Sequence, residues 1–488
     1  MTDKAPDRRL LIGGRLTGAA TTFASVNPAT GAVVGHAPDA GPAEAEAAIV
    51  AARHAFDTTS WATDRDFRAR CLDQLHRALV DHKEELRALT IAEVGAPHQL
   101  TAGAQLEEPI GVVRWYADLL PTYEFSRDLG VAEARGARHR RWVEKEAAGV
   151  VSAIIPYNYP NQIALAKLAP ALAAGCTVVL KGAPDTPLIT LALGELIAEH
   201  TDIPPGVVNV LASSGAAAGE LMTTHPDVDV VTFTGSTATG RRIMAAASGT
   251  VKRVFLELGG KSPMVLLDDA DLQTASMMAA FMSCSHAGQG CAICTRLLVP
   301  RERHDEVVDM VAQGLARIPV GEPADPATYM GPLINERQRD KVDAMVQRAV
   351  ADGAKLVCGG ERVPGPGCFY KPTLLAGVDP DSEIAQEEIF GPVLSVIPYE
   401  NSDDAADAVR IANNSAYGLS GAVFSASDER AVGVARRIRS GTFSINGGNY
   451  FAPDSPFGGY KQSGVGREYG LEGLAEFLET KTFGAVAK

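Results

Sequence analysis

The sequence lacks most of what would tie it to a membrane, an oxidising compartment or a polyanion. No apolar run reaches the roughly 18 residues of a membrane-spanning helix. The amino-terminal MTDKAPDRRL is followed by no apolar stretch of leader length, so a cytoplasmic location without a membrane partner is expected. Seven cysteines in 488 residues are an odd and sparse set, which argues against a disulfide frame and predicts free thiols. Cations are outnumbered, 45 Lys and Arg against 59 Asp and Glu. The net charge of −14 argues against a nucleic-acid partner, since binding to phosphate backbones needs clustered Lys and Arg. The one dense basic stretch, Arg135 to Arg141, reads as a solvated hairpin or a subunit contact. No GxGxxG occurs, so the ordinary dinucleotide fingerprint is missing.

What is present is the composition of a well-buried globular protein, 46% hydrophobic and 21% charged, and long enough for two or three domains. Residues 42–56 open with Pro42 and put Ile49 and Phe56 on one helical face. Leu72, Leu75, Leu79, Leu86 and Leu89 continue at helical spacing, so the first 125 residues are expected to be largely helical. From about residue 149 the short runs VVSAII, TVVLK, VVNVL, DVVTF and RVFLEL alternate with helical stretches led by Pro160, Pro187, Ser214 and Ser236. Strands separated by crossover helices predict a parallel sheet, with ligands at the carboxyl ends of its strands. A second α/β alternation starts at MVLL, residues 264–267, and runs to about 445, which predicts another domain beginning just after Glu257.

Glu257 opens ELGGKSP and Cys291 closes GQGC. A thiol attacks as thiolate, and an acyl group left on sulfur needs an activated water to leave, so the two fit a nucleophile and a water-activating base. Asn158, in PYNYP directly after the first strand, is either an oxyanion donor or a turn residue. FTGSTATG places Gly235 and Gly240 around a strand-to-helix turn suited to an anion such as pyrophosphate, and Lys181 ends TVVLK as a strand-end charge or a nucleotide contact. Cys284, His286, Cys291 and Cys294 form a cluster with partial zinc-ligand spacing, but nothing downstream supplies a matched second pair.

Taken in order, PYNYP, the strand-end Lys181, FTGST, ELGGKSP, GQGC, EEIFGPV at 387–393, Asn446 and PFGGYKQSGVGRE at 456–468 resemble the NAD(P)-dependent aldehyde dehydrogenase superfamily over nearly the whole chain. The resemblance implies an α/β fold: a Rossmann-like parallel-sheet cofactor domain (1–127 and 148–258), an α/β catalytic domain (259–462) and a small β oligomerisation arm (128–147 and 470–488), assembled as a homodimer or homotetramer. It implies attack by Cys291 on an aldehyde, an oxyanion held by Asn158 and the Cys291 N–H, hydride transfer to nicotinamide, and hydrolysis of the thioester by water activated by Glu257. Glu468 would relay a proton and Lys167 would support the site. Ile155, Pro156, Lys181, Gly235, Ser236, Gly240, Leu258, Glu388 and Phe390 would hold the cofactor, and no metal is implied. A thiol esterase on the same fold, and a binding protein that kept the fold, are the alternatives.

Two departures from the family pattern bear on specificity. Lys181-Gly182-Ala183-Pro184 lacks the carboxylate that usually holds the ribose 2′-hydroxyl, so NAD is the expected cofactor with NADP admissible. Tyr159, Gly290, Ala292 and the small Ala166 predict a roomy tunnel bounded by Tyr159 and Phe451, for a bulky apolar, aromatic or terpenoid aldehyde. Trp115, Tyr116 and Leu119 are expected either at its mouth or in the core.

Overall fold

In the computed structural model, which describes residues 7–487, the chain builds two α/β units on separate hydrophobic cores. Residues 1–6, the start of the segment read as carrying no leader, and residue 488, the end of the expected arm, lie outside the described residues. Among the described residues no helix is long and apolar enough to cross a membrane.

The first unit holds an eight-stranded sheet whose five central strands run parallel in the spatial order Arg253–Glu257, Val230–Thr234, Val150–Ile154, Thr177–Lys181, Val208–Leu211. These strands read as continuous Val, Leu and Ile runs because helices cover both faces. Chain order proceeds outward from Val150–Ile154 in one direction and then, from Val230–Thr234, in the other. The reversal opens a crevice between the carboxyl ends of those two strands, the ligand position of doubly wound sheets. Pro160 and Pro187 each occupy the first turn of the helix that follows, where a missing N–H is harmless.

The helical reading of the first 125 residues is incomplete. Four strands precede the first helix: Leu10–Ile12 and Arg15–Thr17 extend the sheet antiparallel at its far edge, and Thr22–Val26 pairs with Val33–Pro38. Strands of three to six residues carry too few positions for a period of two to show. Ser214 does not start a helix either. Its Oγ donates to Asp39 at 2.6 Å, and the helix begins at Ala217.

The second unit carries a seven-stranded sheet from Ser262–Leu266 to Ser444–Ile445, parallel except for its Lys355–Cys358 edge. The chain then returns to the first unit. Phe457, Tyr469, Leu474 and Phe477 join the first core, and Gly464–Val465 pairs with Leu256 and Glu257. Residues Gly470–Ala475, expected in the arm, form a helix, and only from Leu478 does the chain enter the three-stranded sheet Leu478–Val486, Ala137–Ala147, Ser126–Ala134. The basic stretch is the turn and second strand of the hairpin in that sheet, with Arg135 and Gly136 at its tip in left-handed conformations.

Candidate active site

Cys291 follows the helix Leu272–Cys284 and a turn in which three consecutive residues, His286, Ala287 and Gly288, adopt positive φ of 48°, 53° and 73°. Only at Gly288 does this cost nothing sterically, and there a side chain would also run into the carbonyl of Gly391. Gln289, fully buried, pins the turn. Its amide nitrogen donates to the carbonyls of His286 and Pro332 at 3.2 and 3.4 Å, and its oxygen accepts from the Ile334 N–H at 2.9 Å.

Glu257 is the last residue of its strand, so its carboxyl projects at the carboxyl end of the first sheet, and it interacts with the Cys291 thiol. Asn158 sits in the loop between Val150–Ile154 and the helix Pro160–Ala174. One N–H of its amide donates to the Gln289 carbonyl at 2.9 Å, while its backbone carbonyl accepts from Gln105 at 2.7 Å. The first bond holds the amide against the turn that carries the thiol, and the second anchors the backbone from which it projects.

The electrostatics are those of a dry, acidic pocket. Burial pushes the Glu257 carboxyl well above the usual carboxylate range, and the neighbouring Glu468 adds to the shift. Burial, Glu257 and Glu388 together push the Cys291 thiol well above its ordinary value. The thiol is therefore protonated at rest, and the nucleophile forms only when its proton is taken. Lys167 lies beneath, fully buried, donating to Glu468 at 2.9 Å and to Thr232 Oγ1 at 3.0 Å, with its ammonium 5.0 Å from the Phe255 ring centre.

Two cavities meet at this point, and Asn158, Glu257 and Cys291 line both of them. The first, about 210 Å³, is walled chiefly by Tyr159, Ile163, Met282, Ile293, Phe451 and Phe457. At its rim Tyr450, Phe451 and Phe457 stack at 5.0 and 5.2 Å between ring centres. Gly290 keeps it open, since a β-carbon there would lie 2.9 Å from Ile293. Ala166 does not line it. The cavity meets only the first turn of the helix, at Gln162 and Ile163, and Ala166 is packed in the core one turn beyond. Tyr116 belongs to the core as well, and Trp115 and Leu119, half-buried, pack against it without lining the cavity.

The second cavity, also about 210 Å³, lies in the crevice of the first sheet and gathers Pro156, Gly235, Ser236, Leu258, Glu388 and Phe390. Ser236 caps the helix Thr237–Ala247 by accepting from the Thr239 N–H at 3.3 Å, which leaves a helix amino terminus facing the space. Gly259 makes room for Glu388, whose carboxylate would lie 2.5 Å from a β-carbon at that position and accepts from the Gly260 N–H at 2.9 Å. Lys181 lines a neighbouring slot of about 370 Å³ between the helices Ala217–Thr224 and Thr237–Ala247, and burial lowers its ammonium to about 8. Helix terminus, backbone N–H groups, carboxylate and strand-end lysine suit a dinucleotide. Ile155 and Gly240 line neither space. Ile155 is buried with its N–H bonded to the Lys181 carbonyl, and Gly240 is packed under Leu258.

Sequence reading missed Gln162, Met282, Ser285 and Tyr469 in the first cavity, and Gln338 and Lys341 in the second. Gln338 donates to the carbonyls of Ile389 and Phe390 at 3.1 and 2.8 Å, holding Phe390 at a φ of 56°. Its only advance signal was Asn335, a helix-capping residue three positions earlier. The cysteine cluster is dispersed: Cys284 and Cys294 are buried in the second core, His286 packs edge-on against Tyr159 at 5.2 Å, and Cys291 lines the cavities. Among the described residues no group of three His, Cys, Asp or Glu could hold a metal ion.

The profile of the Aldehyde dehydrogenase family matches residues 16–483. The chain is 43% identical to 3-succinoylsemialdehyde-pyridine dehydrogenase of a Pseudomonas species, over 93% of each chain. It is 38% identical to geranial dehydrogenase of Castellaniella defragrans, over 97% of this chain and 98% of that one. Among solved structures, an aldehyde dehydrogenase C mutant of Pseudomonas syringae in complex with NAD+ and octanal superposes with a TM-score of 0.92 at 40% identity, covering 99% of this chain and 97% of that one.

Proposed function

The chain belongs to the aldehyde dehydrogenase family, and from that premise we propose that it oxidises an apolar, aromatic or terpenoid aldehyde to the carboxylic acid with NAD+, through a covalent bond to Cys291. The single observation that carries the reading is the position of Cys291, Glu257 and Asn158 as the three residues common to both cavities. A reacting carbon on the Cys291 sulfur would face the apolar space on one side and the dinucleotide crevice on the other.

Cys291 gives up its proton as its sulfur bonds to the aldehyde carbon, and Glu257 is the carboxyl beside it that can take that proton. The carbonyl oxygen becomes an oxyanion. Asn158 is already held by Gln289 through one N–H and offers the other, a donor of the kind whose loss typically costs about 10²–10³ in rate. NAD+, when bound, accepts the hydride. Glu257 first passes the thiol's proton on towards Glu468, which Lys167 holds on the inner side; as a carboxylate again, it takes a proton from the water that cleaves the thioester, and the acid leaves with Cys291 released as thiolate. Because the Glu257 carboxyl sits above the usual carboxylate range, its basic form accumulates only at higher pH, and hydrolysis should quicken as pH rises.

Pro156, Gly235, Ser236, Leu258, Glu388 and Phe390 would hold the nicotinamide half of the cofactor and Lys181 the adenosine half. Pro184 offers no carboxylate against a 2′-phosphate, so NADP would be accepted more weakly rather than rejected. The division into cofactor, catalytic and arm segments, self-association through the three-stranded sheet, and residence in a reducing cytoplasm, consistent with seven free thiols, belong to the same proposal.

The substrate reading rests on the apolar wall and on relatives named for geranial and for a pyridine-bearing semialdehyde. A series of alkanals, benzaldehyde and geranial, followed as NAD+ and NADP+ reduction, tests it. With about 0.8 kcal/mol per buried methylene, kcat/KM should climb roughly fourfold per carbon until the cavity is filled. A preference for acetaldehyde or for a charged semialdehyde would overturn the reading.

A further inference from the structure

Tyr469 has a backbone conformation that the reaction itself does not require. Its φ of 61° and ψ of 171° lie in a region open essentially only to glycine, and the surroundings impose it. On one side Glu468 exchanges both backbone hydrogen bonds with Phe457, at 2.7 and 2.9 Å, and its carboxylate accepts from Lys167 at 2.9 Å. On the other side the Gly470 N–H donates to the Pro453 carbonyl at 3.0 Å, and the Gly470 carbonyl accepts from the Tyr116 hydroxyl at 3.0 Å. The Tyr469 side chain is thereby held in the wall of the apolar cavity, 5% exposed, with its hydroxyl interacting with Gln162.

A second polar pair, Tyr159 with Ser285, stands in the same wall. A cavity shaped only for hydrocarbon gains nothing from four polar groups in its wall, Tyr469 buried and Tyr159, Gln162 and Ser285 half-buried. Burial keeps the Tyr469 phenol neutral, so it remains a donor throughout the working range of pH.

We infer that Tyr469, supported by Gln162, recognises a hydrogen-bond acceptor on the aldehyde away from its reactive carbonyl, a keto oxygen or a ring nitrogen. The substrate class is then an oxygenated or heteroaromatic apolar aldehyde rather than a plain hydrocarbon one. This rests on the proposed reading of the cavity as the aldehyde site. Polar groups placed to bond a substrate atom discriminate strongly against an analogue that lacks it, because they are then left unpaired.

The test compares 4-oxo-4-phenylbutanal with 4-phenylbutanal, which differ by one carbonyl oxygen, as substrates of the full chain with NAD+. Wild type should favour the oxo aldehyde about tenfold in kcat/KM, through KM. Tyr469→Phe keeps the ring and removes only the donor, and should bring the ratio close to 1 by raising KM for the oxo aldehyde. Gln162→Leu, measured in the same way, should lower the ratio as well and serves if the Phe variant does not fold. Equal values in wild type, or an undiminished ratio in the variants, would overturn the inference while leaving the dehydrogenase reading intact. Failure of both aldehydes to drive NAD+ reduction would overturn both.

Discussion

The two cavities flanking Cys291 are built in opposite ways. The crevice on the sheet side has a floor of strings at strand ends, Pro156 after one strand, Gly235 and Ser236 after another, and Leu258 after a third, with Gln338, Lys341, Glu388 and Phe390 added from the second unit. Its geometry is set by backbone, and glycine is needed where a side chain would collide. The apolar side draws single side chains from distant segments, among them Ala104, Gln162, Met282, Ile293, Phe451 and Tyr469. The contrast separates what the fold dictates from what a particular aldehyde dictates. Changes in the crevice should affect every substrate alike, and changes in the apolar wall should affect substrates unequally.

The largest expected effect lies where the cavities meet. Cys291→Ala should abolish NAD+ reduction for every aldehyde, on the order of 10⁴-fold or more, because no bond to sulfur can form. In the free wild-type enzyme, carboxamidomethylation of Cys291 followed by mass spectrometry should keep accelerating beyond pH 9 without a plateau. The thiolate is the reactive form, and burial with the neighbouring carboxylates delays its appearance. A plateau near pH 7 would show that an unrecognised cation activates the thiol.

Next in size is Gly290→Val, which places a branched side chain against Ile293 inside the apolar space. Geranial should lose about 10²-fold in kcat/KM and acetaldehyde far less. A uniform loss would break the comparison, since it would make the apolar wall part of the common machinery. The smallest effect belongs to the crevice. Ser236→Ala removes a helix cap worth about 1 kcal/mol, and should raise KM for NAD+ severalfold for every aldehyde while leaving the ranking of aldehydes unchanged.

The same contrast explains what the sequence could disclose. The alternation after residue 149 predicted the parallel sheet because each strand is a run of apolar residues closed by proline, glycine or a capping residue. Glu257, Cys291, Asn158, Glu388 and Phe390 stand within recognisable strings, and the structure sets all five along one cavity. Tyr469 was hidden although it adjoins Glu468, since its importance comes from a backbone conformation that no local pattern announces. Ala166 lies one helical turn beyond the residues that line the cavity, because the family pattern that puts it on a tunnel does not say how far along the helix the cavity of this chain extends. The strands Leu10–Ile12 and Gly464–Val465 are invisible for a related reason: they exist through pairing with strands 199 and 209 residues away in sequence, at Leu11–Val210 and Leu256–Val465, and are too short to declare themselves.

The division of labour between Cys291 and Glu257 is most directly tested in Glu257→Gln by rapid mixing with NAD+ and a preferred aldehyde. Bond formation needs the thiol and is slowed, not stopped, when Gln replaces the carboxyl beside it, whereas release needs a water deprotonated by the carboxylate and is slowed far more. The account predicts one NADH per active site in a single burst, followed by a stall on the order of 10²-fold or more below wild-type turnover, with an acyl adduct on Cys291 in the trapped protein. Slow linear turnover without a burst, and with Cys291 unmodified, would contradict it.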